Sequence, residues 1–183
     1  MKAFSHIPRN AWNGNISVID WGCGQGLAPI ILQDHIDKQK SLKTCIEEIV
    51  LIEPSKASLS RAETFIQWSV PSALVYSLSE KEENLTISEL PSFDNTIIHI
   101  LSNVVDMPDF YGENVLRYIE REGHKHHVVV CASPFYPENG RGKYMSEFGA
   151  SLDGFKLVYK FERHKEDWTR EYSCQIHIYD NRT

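Results

Sequence analysis

The segment Ile16–Leu32, which reads ISVIDWGCGQGLAPIIL, constrains the fold of this chain more than any other part of the sequence. An apolar run ends at Asp20, and three glycines then follow within five positions, at Gly22, Gly24 and Gly26. An apolar pattern with helical spacing begins directly after them. Glycine permits a tight turn and lets a ligand approach the backbone without a Cβ in the way. The segment therefore predicts a strand, a ligand-binding loop and a helix whose first N–H groups face the ligand.

Short apolar runs and helical periods alternate along the rest of the chain. The runs predict seven strands, at Ile16–Asp20, Ile49–Ile52, Ala73–Tyr76, Thr96–Leu101, His127–Ala132, Phe155–Phe161 and Tyr172–Tyr179. Helices are predicted after the glycine loop, after a capping Ser55, over Asp109–Glu122 and over Tyr144–Phe148. Strands that alternate with helices favour a parallel sheet with right-handed crossovers.

The last two predicted strands are connected differently from the others. Only the loop ERHKEDWTRE separates them, and it is too short for a helical crossover, so these two strands are expected to run antiparallel. The predicted fold class is therefore α/β: a doubly wound, mostly parallel seven-stranded sheet with the last strand antiparallel and helices on both faces. Residues 1–183 are expected to form a single domain, either a small complete protein or one part of a longer one.

The composition narrows the classes of partner. A formal net charge of −6 argues against broad electrostatic attachment to nucleic acid or to an anionic membrane, although a local basic groove stays compatible with it. No apolar stretch approaches the roughly 20 residues that span a bilayer. The N-terminal sequence MKAFSHIPRNAWNGN also lacks the apolar centre of a signal peptide. We therefore expect a cytoplasmic protein without membrane insertion, whose oligomeric state the sequence does not indicate.

The cysteines and histidines do not predict a metal site. The four cysteines are far apart in the sequence and are interpreted as free thiols: Cys23, Cys45, Cys131 and Cys174. His124, His126 and His127 cluster just before a predicted strand, but no cysteine or carboxylate pattern accompanies them. A solvated turn is the favoured interpretation of this cluster, and a metal site is the minor alternative.

The spacing around the glycine loop discriminates among nucleotide ligands. A dinucleotide-binding loop would place a third small residue at position 27, where this chain has Leu27, so an NAD-linked oxidoreductase is disfavoured. Glu53 ends the second predicted strand, where a carboxylate can accept hydrogen bonds from both hydroxyls of a ribose. Alternatively, Glu53 only favours the N-terminal dipole of the next helix. Together, the loop and Glu53 favour an adenosine-containing ligand.

Three motifs resemble one protein family. Val18–Gly26, with the sequence VIDWGCGQG, resembles the first motif of the class I S-adenosylmethionine-dependent methyltransferase superfamily, and Ile52–Ser55 resembles the second. Phe93–Ile98 and Leu101–Asp106 are similar to its fourth strand and the segment that follows. The antiparallel finish of the sheet also matches this superfamily. The resemblance spans most of the chain and implies S-adenosylmethionine as cofactor, but it identifies no subfamily and no methyl acceptor.

The same resemblance implies a set of cofactor-binding residues. Gly22, Gly24 and Gly26 would hold the methionine and ribose part, with Cys23 in the same loop and Asp20 ordering it. Glu53 would hold the ribose hydroxyls and Pro54 would lie beside the adenine. Leu78, with Ser79 as an alternative, would lie on the adenine side, and Ser102 and Asn103 would lie near the methyl group.

No catalytic residue is predicted, because orientation alone supplies much of the catalysis of methyl transfer. Asp106 is a candidate general base, although a role in starting the next helix is favoured. Ser133–Tyr136 (SPFY) resembles the [DNS]-P-P-[YF] signature of amino-group methyltransferases, but Phe135 replaces the second proline and the motif follows the fifth strand instead of the fourth. Two functions therefore stay open: an active methyltransferase, and a cofactor-binding or interaction module without turnover.

Overall fold

A computed structural model of the protein describes residues 3–39, 41–107, 110–134, 142–163 and 174–182. The strands are β1 (Ile16–Trp21), β2 (Ile46–Ile52), β3 (Leu74–Leu78), β4 (Thr96–Ser102), β5 (His127–Pro134), β6 (Lys156–Arg163) and β7 (Cys174–Asp180). The α-helices are α1 (Leu27–Lys38), α2 (Lys56–Ser69), α3 (Glu113–Arg121) and α4 (Gly142–Ser151). Short 3₁₀ helices occupy Ala3–His6, Arg9–Trp12, Glu82–Asn84 and Ile87–Glu89.

All seven strands belong to one sheet with the order β3-β2-β1-β4-β5-β7-β6. The pairs β1–β2, β2–β3, β1–β4 and β4–β5 are parallel, whereas β7 is antiparallel to both β5 and β6. The predicted fold class, including the antiparallel last strand, is confirmed. The strand order reverses between β1 and β4, and open sheets of this kind bind ligands beyond the carboxyl ends of the strands at such a reversal.

Helices cover both faces of the sheet. Side chains alternate between the two faces along a strand. On β1, Ile16 and Val18 pack in the core cluster that includes residues of α1 and α2, whereas Ile19 and Trp21 pack in the cluster that includes residues of α3 and α4. The central strands are therefore buried on both sides, which explains why they read as continuous apolar runs.

Several element boundaries differ from the prediction. α3 begins at Glu113, after Gly112 in the left-handed conformation, while the predicted start at Asp109 lies outside the described residues. The polar segment between β3 and β4 forms only two 3₁₀ helices. The side-chain amide of Asn114 holds this segment by donating to the backbone carbonyls of Glu82 and Leu85. Tyr172, the predicted first residue of the last strand, is not among the described residues.

The structure corrects the interpretation of the histidine cluster. His126 and His127 are buried, and only His124 is exposed. The His126 Nε2 atom lies 3.1 Å from a carboxylate oxygen of Asp180. A solvated turn was wrong for these two residues because β5 lies between β4 and β7, so even its first residue is covered. No grouping of three possible metal-ligating side chains occurs in the described ranges, and none of the helices described there has the length and apolar character needed to cross a bilayer.

A directional chain of buried hydrogen bonds links β1, β4 and β5. The Trp21 indole donates to His99 Nδ1 over 3.2 Å, and an indole nitrogen can only donate. His99 Nε2 therefore carries the proton that it donates to His127 Nδ1 over 3.0 Å, and His127 Nε2 donates to the Glu122 carbonyl. Every ring in this chain is neutral. Burial lowers the pKa of His99 well below its usual value and also lowers the pKa of His127.

The lowered pKa values of His99 and His127 predict that the folded protein loses stability in acid. Below about pH 6.5 the unfolded state binds protons that folded His99 and His127 do not, so the free energy of unfolding falls as the pH falls. His99→Gln keeps an acceptor for Trp21 and a donor for His127 but removes one titrating ring. Urea unfolding at about pH 7.5 and about pH 5.5 should show a smaller pH effect for His99→Gln than for the unmodified protein.

His124→Gln is the control, because His124 is exposed and should leave the pH effect unchanged. Equal pH effects in His99→Gln and the unmodified protein would contradict the neutral hydrogen-bonded chain.

Candidate functional site

The glycine loop between β1 and α1 adopts a conformation that requires glycine. Gly22, Gly24 and Gly26 have φ angles of 70°, 54° and 73°, in the left-handed region that other residues rarely adopt. A Cβ at Gly22 would also overlap the side chain of Val104, whereas a Cβ at Gly24 would meet nothing within 4 Å. The backbone at Gly24 is therefore accessible to a ligand.

Hydrogen bonds attach this loop to the end of β2. Cys23 N donates to the Ile52 carbonyl over 2.9 Å, and Gly24 N donates to Glu53 Oε2 over 3.0 Å. The other carboxylate oxygen of Glu53 accepts from Ser55 N over 2.9 Å. The half-buried side chain of Glu53 thus joins the glycine loop to the start of α2.

A cavity of about 720 Å³ lies at this edge of the sheet, a volume within the range of small-molecule sites. Eight of the predicted cofactor residues line it, namely Asp20, Gly22, Cys23, Gly24, Glu53, Pro54, Ser102 and Asn103. Seven further residues that the sequence analysis did not assign also line it: Gln25, Leu27, Ala28, Ile30, Phe65, Val104 and Met107. Val104 and Met107 follow directly after β4, which is a central strand. This position in the sequence was the signal that could have identified them as lining residues.

Two predicted residues lie outside the cavity lining. Gly26 packs against α2, since a Cβ there would lie 3.0 Å from the Ala62 Cβ. Leu78 ends β3, and its carbonyl accepts a hydrogen bond from Glu53 N over 3.1 Å. Gly26 therefore packs the loop against α2, and Leu78 holds the backbone of Glu53. Direct contact of either residue with a cofactor stays a prediction.

A smaller recess of about 160 Å³ adjoins the cavity. Both spaces are lined by Gly22, Pro54, Val104 and Met107, and the recess is also lined by Trp21, Ile52, Glu80, Lys81, Glu82, Glu83 and Phe110. The residues after β3 that line this recess thus form a mostly acidic run, Glu80–Glu83, which lies two to five positions beyond Leu78. Sequence reasoning missed this run because its position depends on where the chain turns after the strand ends.

Two acidic side chains, Asp20 and Glu53, line the cavity. Asp20 is only 1% exposed, and neither oxygen of its carboxyl group has a hydrogen-bond partner among the described residues. Burial, reinforced by the nearby charge of Glu53, raises the pKa of Asp20 to about 8. No lysine or arginine occurs among the described residues that line the cavity. No side-chain hydrogen bond supports the expectation that Asp20 orders the loop, and a cation would satisfy this carboxylate well.

The residues at the carboxyl ends of β4 and β5 form the rest of this edge of the sheet. Asn103 takes a positive φ of 60°, and its N–H donates to the Ala132 carbonyl over 2.7 Å. Asp106 is buried and is not part of the cavity lining, so its role as a base stays an untested alternative. Ser133 belongs to β5, while Tyr136 of the SPFY motif lies outside the described residues.

The cysteines are free, as predicted. Burial raises the pKa of the Cys23 thiol and of the Cys131 thiol above the usual range. These two thiols are therefore protonated and poorly nucleophilic at neutral pH.

No family model and no curated protein matches the sequence. Solved structures, however, resemble the fold. An rRNA methylase from Streptococcus thermophilus is 11% identical with a TM-score of 0.59, and the match covers 97% of this chain and 93% of that one. The methyltransferase domain of bacterial CtHen1 is 13% identical with a TM-score of 0.57, and 89% of each chain is covered.

Magnesium protoporphyrin IX methyltransferase from Synechocystis PCC 6803, solved with bound S-adenosylmethionine, is 14% identical with a TM-score of 0.53. That match covers 89% of this chain and 68% of that one. The chain therefore has the fold of class I S-adenosylmethionine-dependent methyltransferases, with no subfamily assigned.

The raised pKa of Asp20 predicts a pH-dependent cost to stability. In the unfolded chain an aspartate titrates near about pH 3.9, so between about pH 4 and about pH 8 the folded state holds a proton that the unfolded state has lost. Stability contributed by Asp20 therefore falls as the pH rises through this window. Asp20→Asn should unfold at a higher temperature than the unmodified protein at about pH 8, with a smaller difference at about pH 5.

Thermal unfolding across this pH range measures the effect, and Asp34→Asn is the control because Asp34 is exposed. A difference between Asp20→Asn and the unmodified protein that stays constant with pH would show that Asp20 is ionised when folded.

Proposed function

We propose that this protein binds S-adenosylmethionine and catalyses methyl transfer from it. The observation that carries the proposal is the buried carboxyl group of Asp20 beside the glycine loop, which has no hydrogen-bond partner among the described residues and lies in a cavity whose described lining has no lysine or arginine. S-adenosylmethionine carries a sulfonium and an ammonium group, and cations of this kind satisfy a buried carboxylate. A nicotinamide dinucleotide would bring two phosphates, and no lysine or arginine among the described lining residues would pair with them.

The ribose and adenine have matching groups in the site. Each carboxylate oxygen of Glu53 already accepts one backbone N–H, and a carboxylate oxygen can accept a further hydrogen bond. The ribose hydroxyls can therefore donate to Glu53 without loss of the loop attachment. We assign the adenine to the small recess beside Pro54, where the carboxylates of Glu80, Glu82 or Glu83 can accept from its amino group.

The chemistry that this chain contributes is mainly positioning. Bound S-adenosylmethionine supplies an electrophilic methyl group on sulfur. The glycine loop and Glu53 hold the ligand, and Ser102 and Asn103 line the cavity at the end of β4, where an acceptor can approach. Correct orientation of the two reactants supplies a large part of the rate enhancement of such a displacement.

The structural neighbours support the cofactor class. One of them, the Synechocystis enzyme, holds S-adenosylmethionine, and the names of the neighbours specify acceptors as different as rRNA and magnesium protoporphyrin IX. Their names share methyl transfer as the activity. The acceptor differs among them and is therefore not transferred to this chain.

Calorimetry with S-adenosylmethionine and S-adenosylhomocysteine tests cofactor binding. Both compounds should bind, and Glu53→Ala should weaken binding by about 1–3 kcal/mol, because it removes a charged hydrogen-bond acceptor. Glu113→Ala is the matched control, since it removes the same charge from the exposed surface of α3. No heat at about millimolar ligand with the folded protein would refute the proposed function.

Transfer of a labelled methyl group separates an enzyme from a binding module. Incubation of the protein with labelled S-adenosylmethionine and a cell extract should place label in an acceptor fraction, and Glu53→Ala should reduce the rate. Binding of the cofactor without transfer to protein, nucleic acid or small-molecule fractions would instead support the non-catalytic alternative.

A further inference from the structure

A second cavity, of about 570 Å³, lies at the edge of the sheet opposite the glycine loop. The segment before β1 lines it with Arg9, Trp12 and Gly14, and the last turn of α1 and the segment after it contribute His35 and Lys43. β1 is six residues long, so at about 3.3 Å per residue the two cavities are about 20 Å apart along the strand. No described residue lines both of them. The second cavity is therefore a separate feature of the fold.

The charge of the second cavity is opposite to that of the protein as a whole. Arg9 and Lys43 line it, and no aspartate or glutamate occurs among the described residues of its lining. By contrast, at least two carboxylate side chains line each of four further cavities, including the one beside the glycine loop. The chain carries a formal net charge of −6, so this local excess of cations runs against its average. Such a cavity attracts anions.

The two cations are not used by the fold. No side-chain hydrogen bond or ion pair joins Arg9 or Lys43 to another described residue. The carboxylates in the last two turns of α1 already have partners: Asp34 pairs with Lys38 over 2.6 Å, and Asp37 accepts from a side-chain amide one turn earlier. Lys38 also complements the negative end of the helix dipole. Arg9 and Lys43 are therefore available to a ligand.

Contacts between distant segments hold the walls of the second cavity. The His35 ring packs with Trp12 and Phe4, with ring centroids 6.0 Å and 6.5 Å apart. The Thr44 hydroxyl donates to the Trp12 carbonyl over 2.6 Å and so joins the segment before β2 to the segment before β1. Burial lowers the pKa of His35, so this ring is neutral at neutral pH. The cavity thus has an aromatic side beside its two cations.

A phosphate monoester matches these groups. It carries a charge of about −1.5 to −2 at pH 7, which two cations can balance. A guanidinium group binds two phosphate oxygens at once, and an ammonium group binds phosphate as a point charge. Aromatic side chains give apolar contact to the organic part of an ester. The volume of the cavity lies within the range of small-molecule sites.

We propose that the second cavity binds a small phosphate monoester with an aromatic body, through Arg9 and Lys43. The site does not depend on the proposed function, because it shares no described residue with the cavity beside the glycine loop.

The probe is phenyl phosphate, added to the unmodified protein and followed by a ¹H–¹⁵N NMR titration. The signals of the Trp12 indole and the Gly14 amide should shift, while the signal of the Gly24 amide should not. Phenol, which lacks the phosphate, is the matched ligand control and should bind at least about tenfold more weakly. Raising the salt concentration from about 0.05 M to about 0.5 M should weaken the binding of phenyl phosphate, because salt screens exposed charges.

Variants test the two cations. Arg9→Gln and Lys43→Gln should each weaken the binding of phenyl phosphate about tenfold, since each removes a charged donor to the phosphate. Both side chains are exposed, so neither variant should impair folding. Lys38→Gln is the matched control, because Lys38 is an exposed cation at the same end of α1 that pairs with Asp34 and does not line the cavity.

Three results would overturn the inference. They are the absence of binding at about 10 mM phenyl phosphate, equal binding of phenyl phosphate and phenol, and an equal loss of affinity in Lys38→Gln and Arg9→Gln. The last result would show a diffuse effect of surface charge. Calorimetry with S-adenosylhomocysteine should give the same affinity for Arg9→Gln, Lys43→Gln and the unmodified protein, so a failure of the proposed function is recognised independently.

Discussion

The candidate site of this protein depends on the attachment of the glycine loop to the carboxyl end of β2. Two adjacent backbone N–H groups of the loop, at Cys23 and Gly24, donate to the Ile52 carbonyl and to the Glu53 carboxylate. These bonds place the loop across the sheet at the position where the strand order reverses. Without them, Gly24 and Asp20 would not face the same cavity as Glu53. The cavity is thus a consequence of how two parallel strands end next to each other.

Among the described residues, four of the six with unpartnered buried polar atoms lie at the same edge of the sheet, and a fifth, His177, lies in the middle of β7. Asp20 ends β1, Ser79 follows β3, Ser133 lies near the end of β5 and Gln175 lies near the start of the antiparallel β7. At the opposite edge, Ser17 and His127 have hydrogen-bond partners, although Asn95 Oδ1 does not. Each unpartnered buried group costs about 1–3 kcal/mol. A fold that carries several of them on one edge is less stable there than one in which each group has a partner.

Much of the architecture followed from local patterns, whereas the errors arose where tertiary neighbours decide. The central strands were recognisable because a strand buried on both faces is apolar throughout. The loop and Glu53 were recognisable because left-handed turns require glycine and because the next strand ends in a carboxylate. By contrast, His126 and His127 looked like a solvated turn, since no local signal shows that β5 lies between β4 and β7. Likewise, the acidic residues that line the recess could not be distinguished from a solvated loop.

The amino-acid pattern alone determined the α/β class and the antiparallel finish, which depend on periodicity and loop length, both local properties of the chain. The resemblance of its motifs to a known family named eight of the residues that line the cavity. Only the tertiary structure showed that Asp20 has no hydrogen-bond partner among the residues it describes, that Trp21, His99 and His127 form one hydrogen-bonded chain, and that Ser133 faces Gln175. The physical reason is that burial and hydrogen-bond partnership arise between segments far apart in sequence, once the register of the sheet has brought them together.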